Sequence, residues 1–293
     1  MKKSFILILV TFLFFACGNN EEKSDAFGNF EADPVIVSAE SSGKILELNI
    51  EKGQQIEQGA MAAVIDTMQV SLKLKQIEAQ KATVTANRQS IRTQIEVFEE
   101  QIKNLRINQK RVENMLKDGA ATQKQLDDIN GQISVLERQI ENTQTKYTAV
   151  NKELEVLDAQ QAASRDMLER CIVTAPSGGT ILETYVERGE LAAPGKPLFK
   201  LANLDVLTLK VYVSGAQLPK VKIGEEVNVL IDETKTENQE LKGRITWISP
   251  EAEFTPKIIQ TKEERVKLVY AVKVAVQNDG TLKIGMPGEI RFQ

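Results

Sequence analysis

The sequence has no histidine, two cysteines and few aromatic residues, which make up 5% of its 293 residues. Without histidine the chain lacks the commonest general base of enzymes and the commonest metal ligand. Cys17 and Cys171 cannot build a zinc cluster by themselves and allow one disulfide at most. The 37 Lys and Arg against 41 Asp and Glu give a net charge of −4, so the basic field that nucleic-acid binding needs is also missing. We therefore expect a protein that is not an enzyme, with no metal site, no cofactor and no nucleic-acid partner.

The N-terminal apolar run has the layout of an export signal. A basic start precedes an apolar stretch from Phe5 to Phe15, which ends just before Cys17. A permanent transmembrane helix needs roughly 20 apolar residues, more than this stretch provides. The layout predicts a signal peptide over residues 1–16 and a flexible polar linker over residues 17–34. A plain secretory signal with an incidental cysteine is the alternative.

A cysteine directly at the expected cleavage point resembles the bacterial lipobox, in which the thiol receives diacylglycerol before cleavage. The resemblance implies that Cys17 is lipidated and that its acyl chains tether an exported lipoprotein to a membrane.

Two segments of the chain repeat one another at a fixed offset. Residues 37–66 and 173–202 align without a gap. Glycines recur at turn positions of both copies, and the residues between them alternate as in short half-buried strands. Each copy is too small to fold alone, so we expect the two to interlock as halves of one domain, at residues 35–66 and 171–202. The identical pairs include Val37 and Val173, Ala39 and Ala175, Gly43 and Gly179, Ile45 and Ile181, Gly53 and Gly189, and Gly59 and Gly195.

The segment between these halves, residues 67–170, has the composition of long helices. It contains no proline, two of the 17 glycines and two aromatic residues. Apolar residues recur every seven positions, and a second register starts after residues 118–121, which predicts a coiled coil. The first stripe is Val70, Ile77, Val84, Ile91, Phe98, Leu105 and Val112, and the second includes Leu126, Ile133, Ile140, Tyr147 and Leu154.

The two helical arms are nearly equal in length. Gly119 in a short polar turn is a good helix stop, and Thr122 can cap the next helix. The arms at 67–117 and 122–170 therefore predict an antiparallel hairpin that returns to where it began. At 1.5 Å per residue the hairpin reaches roughly 75 Å, which is of little use in a compact enzyme. We expect its function to lie at the tip.

The repeat resembles the biotinyl/lipoyl domain, a flattened β-sandwich of two pseudo-symmetric halves, through the spacing of Gly179, Ile181, Val186 and Gly189. In carriers of that family a tight hairpin with a modified lysine joins the halves. Here about a hundred residues replace that hairpin, so a swinging-arm carrier is disfavoured.

A split lipoyl-like body with an inserted helical hairpin, on an exported lipoprotein, resembles the HlyD-type periplasmic adaptors, or membrane fusion proteins. The resemblance implies a non-catalytic subunit that bridges an inner-membrane exporter to a TolC-like outer-membrane channel. It also implies a ring of about six copies in the assembly.

The same resemblance selects candidate contact residues at the hairpin tip. The family carries an Arg there, a Leu four residues later and a Ser seven further. This spacing selects Arg111, Met115 and Thr122, with Leu116 as an alternative apolar contact. By resemblance, Arg111 would hydrogen-bond channel carbonyls or carboxylates, and the apolar residue would pack between channel helices. The alternative is that Arg111 only solvates the helix and Thr122 is only an N-cap.

The C-terminal residues, 203–293, contain short β-like runs separated by turn residues, which predicts a small β-barrel. Within them, the polar segment 248–265 resembles one found in adaptors of ABC-type exporters. An ordinary hairpin loop is the alternative.

The sequence therefore predicts a multidomain α+β fold, with a long antiparallel coiled-coil hairpin inserted in a split lipoyl-like β-sandwich and followed by a small β-barrel. The predicted function is that of a periplasmic adaptor, anchored by lipid to the inner membrane, which serves an efflux or secretion system. An ABC exporter is favoured as its transporter, and a proton-driven pump is possible. The alternative from another class is a structural envelope lipoprotein whose coiled coil only spaces or cross-links envelope layers.

Overall fold

The computed structural model describes residues 24–232, 238–254 and 268–292. The expected signal peptide and Cys17 lie outside the described residues, as does most of the polar segment 248–265. The described elements are β1 (Ala26–Glu31), β2 (Val35–Ser38), β3 (Gly43–Leu48), β4 (Gln55–Ile56), β5 (Met61–Ile65), α1 (Met68–Lys117), α2 (Gln123–Glu169), β6 (Ile172–Thr174), β7 (Gly179–Thr184), β8 (Leu191–Ala192), β9 (Pro197–Ala202), β10 (Val206–Ser214), a 3-10 helix (Leu218–Lys220), β11 (Glu226–Asp232), β12 (Asn238–Ile248), β13 (Glu253–Phe254), β14 (Leu268–Gln277) and β15 (Pro287–Arg291).

These elements form two compact units. The first comprises residues 36–177 and 183–199 and contains the helical hairpin. The second comprises, among the described residues, those up to residue 35 together with residues 178–182 and those from residue 200 onward, and it contains the barrel.

Helices α1 and α2 pack antiparallel along the predicted heptad stripes. Every residue of those stripes is buried or half-buried, which confirms the coiled coil. The helices of 50 and 47 residues extend about 70 to 75 Å at 1.5 Å per residue. The most buried seam residues form one cluster toward the base, with Ile77, Val84, Val150, Leu154 and Leu157, and another toward the tip, with Ile102, Ile129 and Ile133.

The polar residues of the seam make directional contacts between the two helices. The Lys81 ammonium group forms an ion pair with Asp158 and donates a hydrogen bond to Gln161 Oε1 at 3.2 Å. Nearer the tip, Gln109 Nε2 donates to Asn130 Oδ1 at 2.7 Å. A polar residue at a coiled-coil core position costs stability but selects one register, because only one alignment satisfies it. These contacts therefore fix which residues of the two arms face each other.

The two sequence repeats interlock in the sandwich, as predicted. Strand β3 of the first repeat pairs with β8 of the second, and β5 pairs with β6. The Gly189 N–H donates to the Ile45 carbonyl at 2.8 Å, and the Ala39 N–H donates to the Lys196 carbonyl at 2.9 Å. The two four-stranded sheets have the orders β2-β9-β7-β4 and β6-β5-β3-β8. Because β5 and β6 are neighbours, the hairpin leaves and re-enters the sandwich at adjacent strands.

The barrel is closed by six strands in the order β10-β1-β15-β11-β12-β14, because β14 pairs back to β10. Strand β13 pairs with the first two residues of β14, Leu268 and Val269. The barrel interior is apolar and fully buried, with Phe30, Leu209, Val229, Ile245, Val274 and Ile290 among its members.

The barrel begins earlier in the chain than the sequence predicts. The linker was expected over residues 17–34 and the barrel over residues 203–293. Instead, β1 is hydrogen-bonded between β10 and β15 and completes the barrel wall. Phe30 points into the core, whereas Phe27 is 59% exposed on the outside. This alternation was present in the sequence, but a single six-residue strand beside a polar leader gave too weak a pattern to recognise.

Candidate functional site: the hairpin tip

The turn between the helices is built around Gly119. This residue has φ = +69°, in the left-handed region that favours glycine. The Gly119 N–H donates to the Leu116 carbonyl at 3.1 Å, and the Ala120 N–H donates to the Met115 carbonyl at 2.7 Å. These two bonds form a Schellman motif, which satisfies carbonyls at the end of α1. The tip is thus a defined turn.

Helix α2 begins with a complete capping box. The Thr122 hydroxyl accepts a hydrogen bond from the Gln125 N–H at 3.4 Å, and the Gln125 side-chain oxygen accepts one from the Thr122 N–H at 2.9 Å. Reciprocal bonds of this kind stabilise the first turn of a helix. Thr122 is therefore an N-cap, as the sequence predicted, and its side chain remains at the exposed surface.

The four predicted tip residues lie within the last two turns of α1 and at the start of α2. Arg111 and Met115 are four residues apart, so they are neighbours on one helix face. Met115 is 41% exposed, whereas Leu116 occupies a seam position and is half-buried. Of the two apolar candidates, Met115 offers the larger free surface.

Arg111 differs from Arg106, the other arginine of α1 near the tip. Arg106 is paired with Glu137 across the hairpin at 3.3 Å. The Arg111 side chain is exposed and forms no hydrogen bond or ion pair with any residue in the described ranges. Its guanidinium group, a planar set of donors suited to carboxylates and carbonyls, is free to bind a partner.

The described residues contain neither a candidate metal site nor a helix that could span a membrane. Over ranges 24–232, 238–254 and 268–292, no group of three or more acidic or cysteine side chains could hold a metal ion. In the same ranges, neither long helix is apolar enough over 18 residues to cross a membrane. Cys171 is buried, with 1% exposure, as is common for a free cysteine that packs as a small apolar residue.

A two-helix hairpin inserted in a split sandwich and joined to a six-stranded barrel is the architecture of membrane fusion proteins. The family model for the barrel-sandwich hybrid domain of RND membrane fusion proteins matches residues 33–203. The chain therefore belongs to this family of non-catalytic, membrane-associated periplasmic adaptors of efflux systems.

Individual relatives match most of this chain. A UPF0194 membrane protein of Yersinia enterocolitica is 25% identical over 99% of this chain and 98% of its own length. A UPF0194 membrane protein of Acidithiobacillus ferridurans is 23% identical over 91% of this chain and 86% of its own. The crystal structure of MacA from Actinobacillus actinomycetemcomitans has a TM-score of 0.66, with 22% identity, and the match covers 90% of this chain and 76% of that one. This last similarity concerns the fold.

Proposed function

We propose that the protein is a lipid-anchored adaptor that links an inner-membrane exporter to a TolC-like outer-membrane channel. The observation that supports this most is the hairpin, which ends in a hydrogen-bonded turn with an unpaired arginine and an exposed methionine beside it. In this proposal Cys17 carries the lipid, about six copies form a ring, and the tips of the hairpins contact the channel. Transport energy comes from the exporter.

Arg111, Met115 and Thr122 form the proposed channel contact, with Leu116 beside them. The Arg111 guanidinium donates hydrogen bonds to channel carbonyls or carboxylates, and Met115 packs between channel helices. The flexible thioether of methionine adapts readily to irregular apolar surfaces. Because the Schellman turn and the capping box hold the tip in one conformation, little entropy is lost when it binds.

Arg111→Glu tests this site directly. Charge reversal should reduce export without unfolding the hairpin, because Arg111 has no partner among the described residues. Retention of a fluorescent efflux dye by cells, with helical content from circular dichroism, measures both effects. The matched control is Arg165→Glu, an exposed and equally unpaired arginine toward the base of α2. Unchanged export in Arg111→Glu would remove the site assignment.

Cross-linking distinguishes the adaptor from a purely structural lipoprotein. A cysteine at Thr122 should cross-link to a co-expressed outer-membrane channel, whereas one at the exposed Ala162 near the base should not. The native Cys171 thiol is buried and does not compete. If the coiled coil only spaces envelope layers, neither cysteine reacts with a channel, and deletion of the gene leaves export unchanged.

The transporter is proposed to be an ABC-type exporter, since residues 248–265 resemble a segment of adaptors that serve that class. The matching family model carries the RND name, so a proton-driven pump is the competing choice. The genes beside this one decide between them: an ATPase and permease pair supports the first, and a proton-driven pump supports the second.

A further inference from the structure

One end of the barrel concentrates exposed apolar side chains. Ile223 is 66% exposed, Phe27 59%, Leu268 57% and Trp247 38%. Phe27 lies at the start of β1, and Leu268 lies at the start of β14. Ile223 lies next to Gly224, whose N–H donates a hydrogen bond to the Ile245 carbonyl in β12. Strand register places all four toward the same end of the barrel, which we term the tether end. Exposed apolar groups gathered in this way mark a contact surface.

Lysines and aromatic rings continue this surface along the outer wall. Lys210 lies opposite Lys273 on neighbouring strands, and Lys273 lies opposite Trp247. The Lys273 Nζ atom is 5.8 Å from the centre of the Trp247 ring, and the Lys210 Nζ atom is 5.5 Å from that of Tyr212. Two lysines directly opposite one another repel, so this arrangement is costly unless a partner uses both charges.

The charges at the tether end are only partly neutralised within the chain. Lys210 lies 3.7 Å from Glu253, and Glu226 is paired with Arg244. Burial lowers the pKa of Lys210, but its hydrogen bond with Tyr212 and the nearby carboxylates outweigh this, so the pKa is raised and the ammonium group stays charged. Lys273 has no carboxylate within 4.0 Å among the described residues.

The start of the described chain leads to this same end. Asp25 is fixed there, because its N–H donates to the Ile290 carbonyl and its own carbonyl accepts from Gln217 Nε2 at 2.8 Å. Only six residues separate Cys17 from Ser24, and seven peptide steps span at most about 25 Å even when fully extended. A lipid on Cys17 would therefore hold the tether end, rather than the opposite end, close to the bilayer.

We infer that the tether end of the barrel is a membrane-contact surface that sits in the headgroup region of a phospholipid bilayer. This inference rests on the lipid anchor of the proposed function. Tryptophan and tyrosine favour the bilayer interface because each has an apolar body and a polar atom. Lysine side chains reach past such rings to phosphate groups while their stems stay on apolar surface. The acyl chains and the tether end then bind the membrane together, as two signals instead of one.

Trp247 is the single tryptophan of the chain and serves as the probe. The full-length protein, as the cell processes it, is reconstituted into vesicles of phosphatidylethanolamine with a minority of phosphatidylglycerol. The lipids are brominated near the carbonyl end of their acyl chains, where bromine quenches nearby tryptophan fluorescence. We expect the protein to float with the vesicles and its Trp247 emission to fall relative to vesicles of unbrominated lipid.

Two equivalent isoleucines supply a matched pair of variants. Ile223 and Ile284 each occupy a Lys-Ile-Gly turn, and both are exposed, at 66% and 47%. Ile223→Glu, at the tether end, should reduce the quenching. Ile284→Glu should not, because Ile284 lies at the opposite end of the barrel, next to Gly285, whose N–H donates to the Phe30 carbonyl near the end of β1. If the protein floats but its Trp247 emission is not quenched, the inference is wrong. It is also wrong if Ile223→Glu and Ile284→Glu reduce the quenching equally. Neither result would contradict the proposed function. Failure to float would show instead that the anchor is absent, and would overturn the proposed function together with the inference.

Discussion

The position that most constrains the hairpin tip is Gly119, which no other residue replaces without strain. Its φ of +69° belongs to the left-handed region, yet a Cβ atom there would meet no atom within 4 Å. The constraint is therefore conformational and not steric. It explains why a single glycine in the sequence was enough to locate the turn, while Arg111 and Met115 needed the comparison with a family motif.

Gly119→Ala and Gly131→Ala should change stability in opposite directions. Alanine at Gly119 must adopt the left-handed conformation, at a cost of roughly 1–2 kcal/mol. Gly131 lies within α2, also with open space around it, so alanine there should stabilise the helix by about 0.5–1 kcal/mol. The urea midpoint of the helical circular dichroism signal measures both. Equal shifts in the two variants would contradict the assigned role of Gly119.

At the scale of elements, β1 is the strand on which closure of the barrel depends. In the described residues, β10 and β15 are joined in one sheet through β1, and Phe30 fills the core from this strand. The strand also carries Phe27 on its outer face. The inner face of this strand thus serves folding, and its outer face serves the proposed membrane contact.

Phe30→Ala should therefore destabilise the barrel strongly, and Phe27→Ala should not. Removal of a fully buried phenylalanine typically costs about 3–5 kcal/mol, because lost burial and an unfilled cavity add together. Surface substitutions usually remain within about 0.5 kcal/mol. Trp247 lies in the barrel, so its fluorescence during urea unfolding reports on this unit. A small effect of Phe30→Ala would mean that β1 is dispensable for closure.

Much of the fold could be predicted from the sequence because its signals are periodic. The seven-residue stripes fixed both helices within a residue or two, and the repeat fixed the interlocked halves. Strand β1 was not predicted, because its partners β10 and β15 lie some 180 and 260 positions later in the chain and no local sequence pattern indicates such pairing. The seam contact between Lys81 and Asp158 escaped for the same reason, since the register of the arms appears only when both are packed.

At the scale of the whole molecule, the hairpin can be shortened without loss of its stability. The repeats interlock at the base, and the seam residues repeat every seven positions between base and tip. Heptads can therefore be removed in facing pairs without changing either end. The pairs Arg106–Glu137 and Lys81–Asp158 show which segments face each other.

Deletion of residues 95–101 together with residues 139–145, which lie between those two pairs, should preserve folding and abolish export. Removing seven residues from each arm keeps the heptad phase and shortens the hairpin by about 10 Å. If the proposed bridge to the channel is correct, the tip no longer reaches its partner, although helical content and melting stay close to those of the intact protein. Deletion of residues 95–101 alone is the control, since it breaks the register and should destabilise the hairpin itself. Dye export at the normal rate by the paired deletion would show that hairpin length is not what connects this protein to transport.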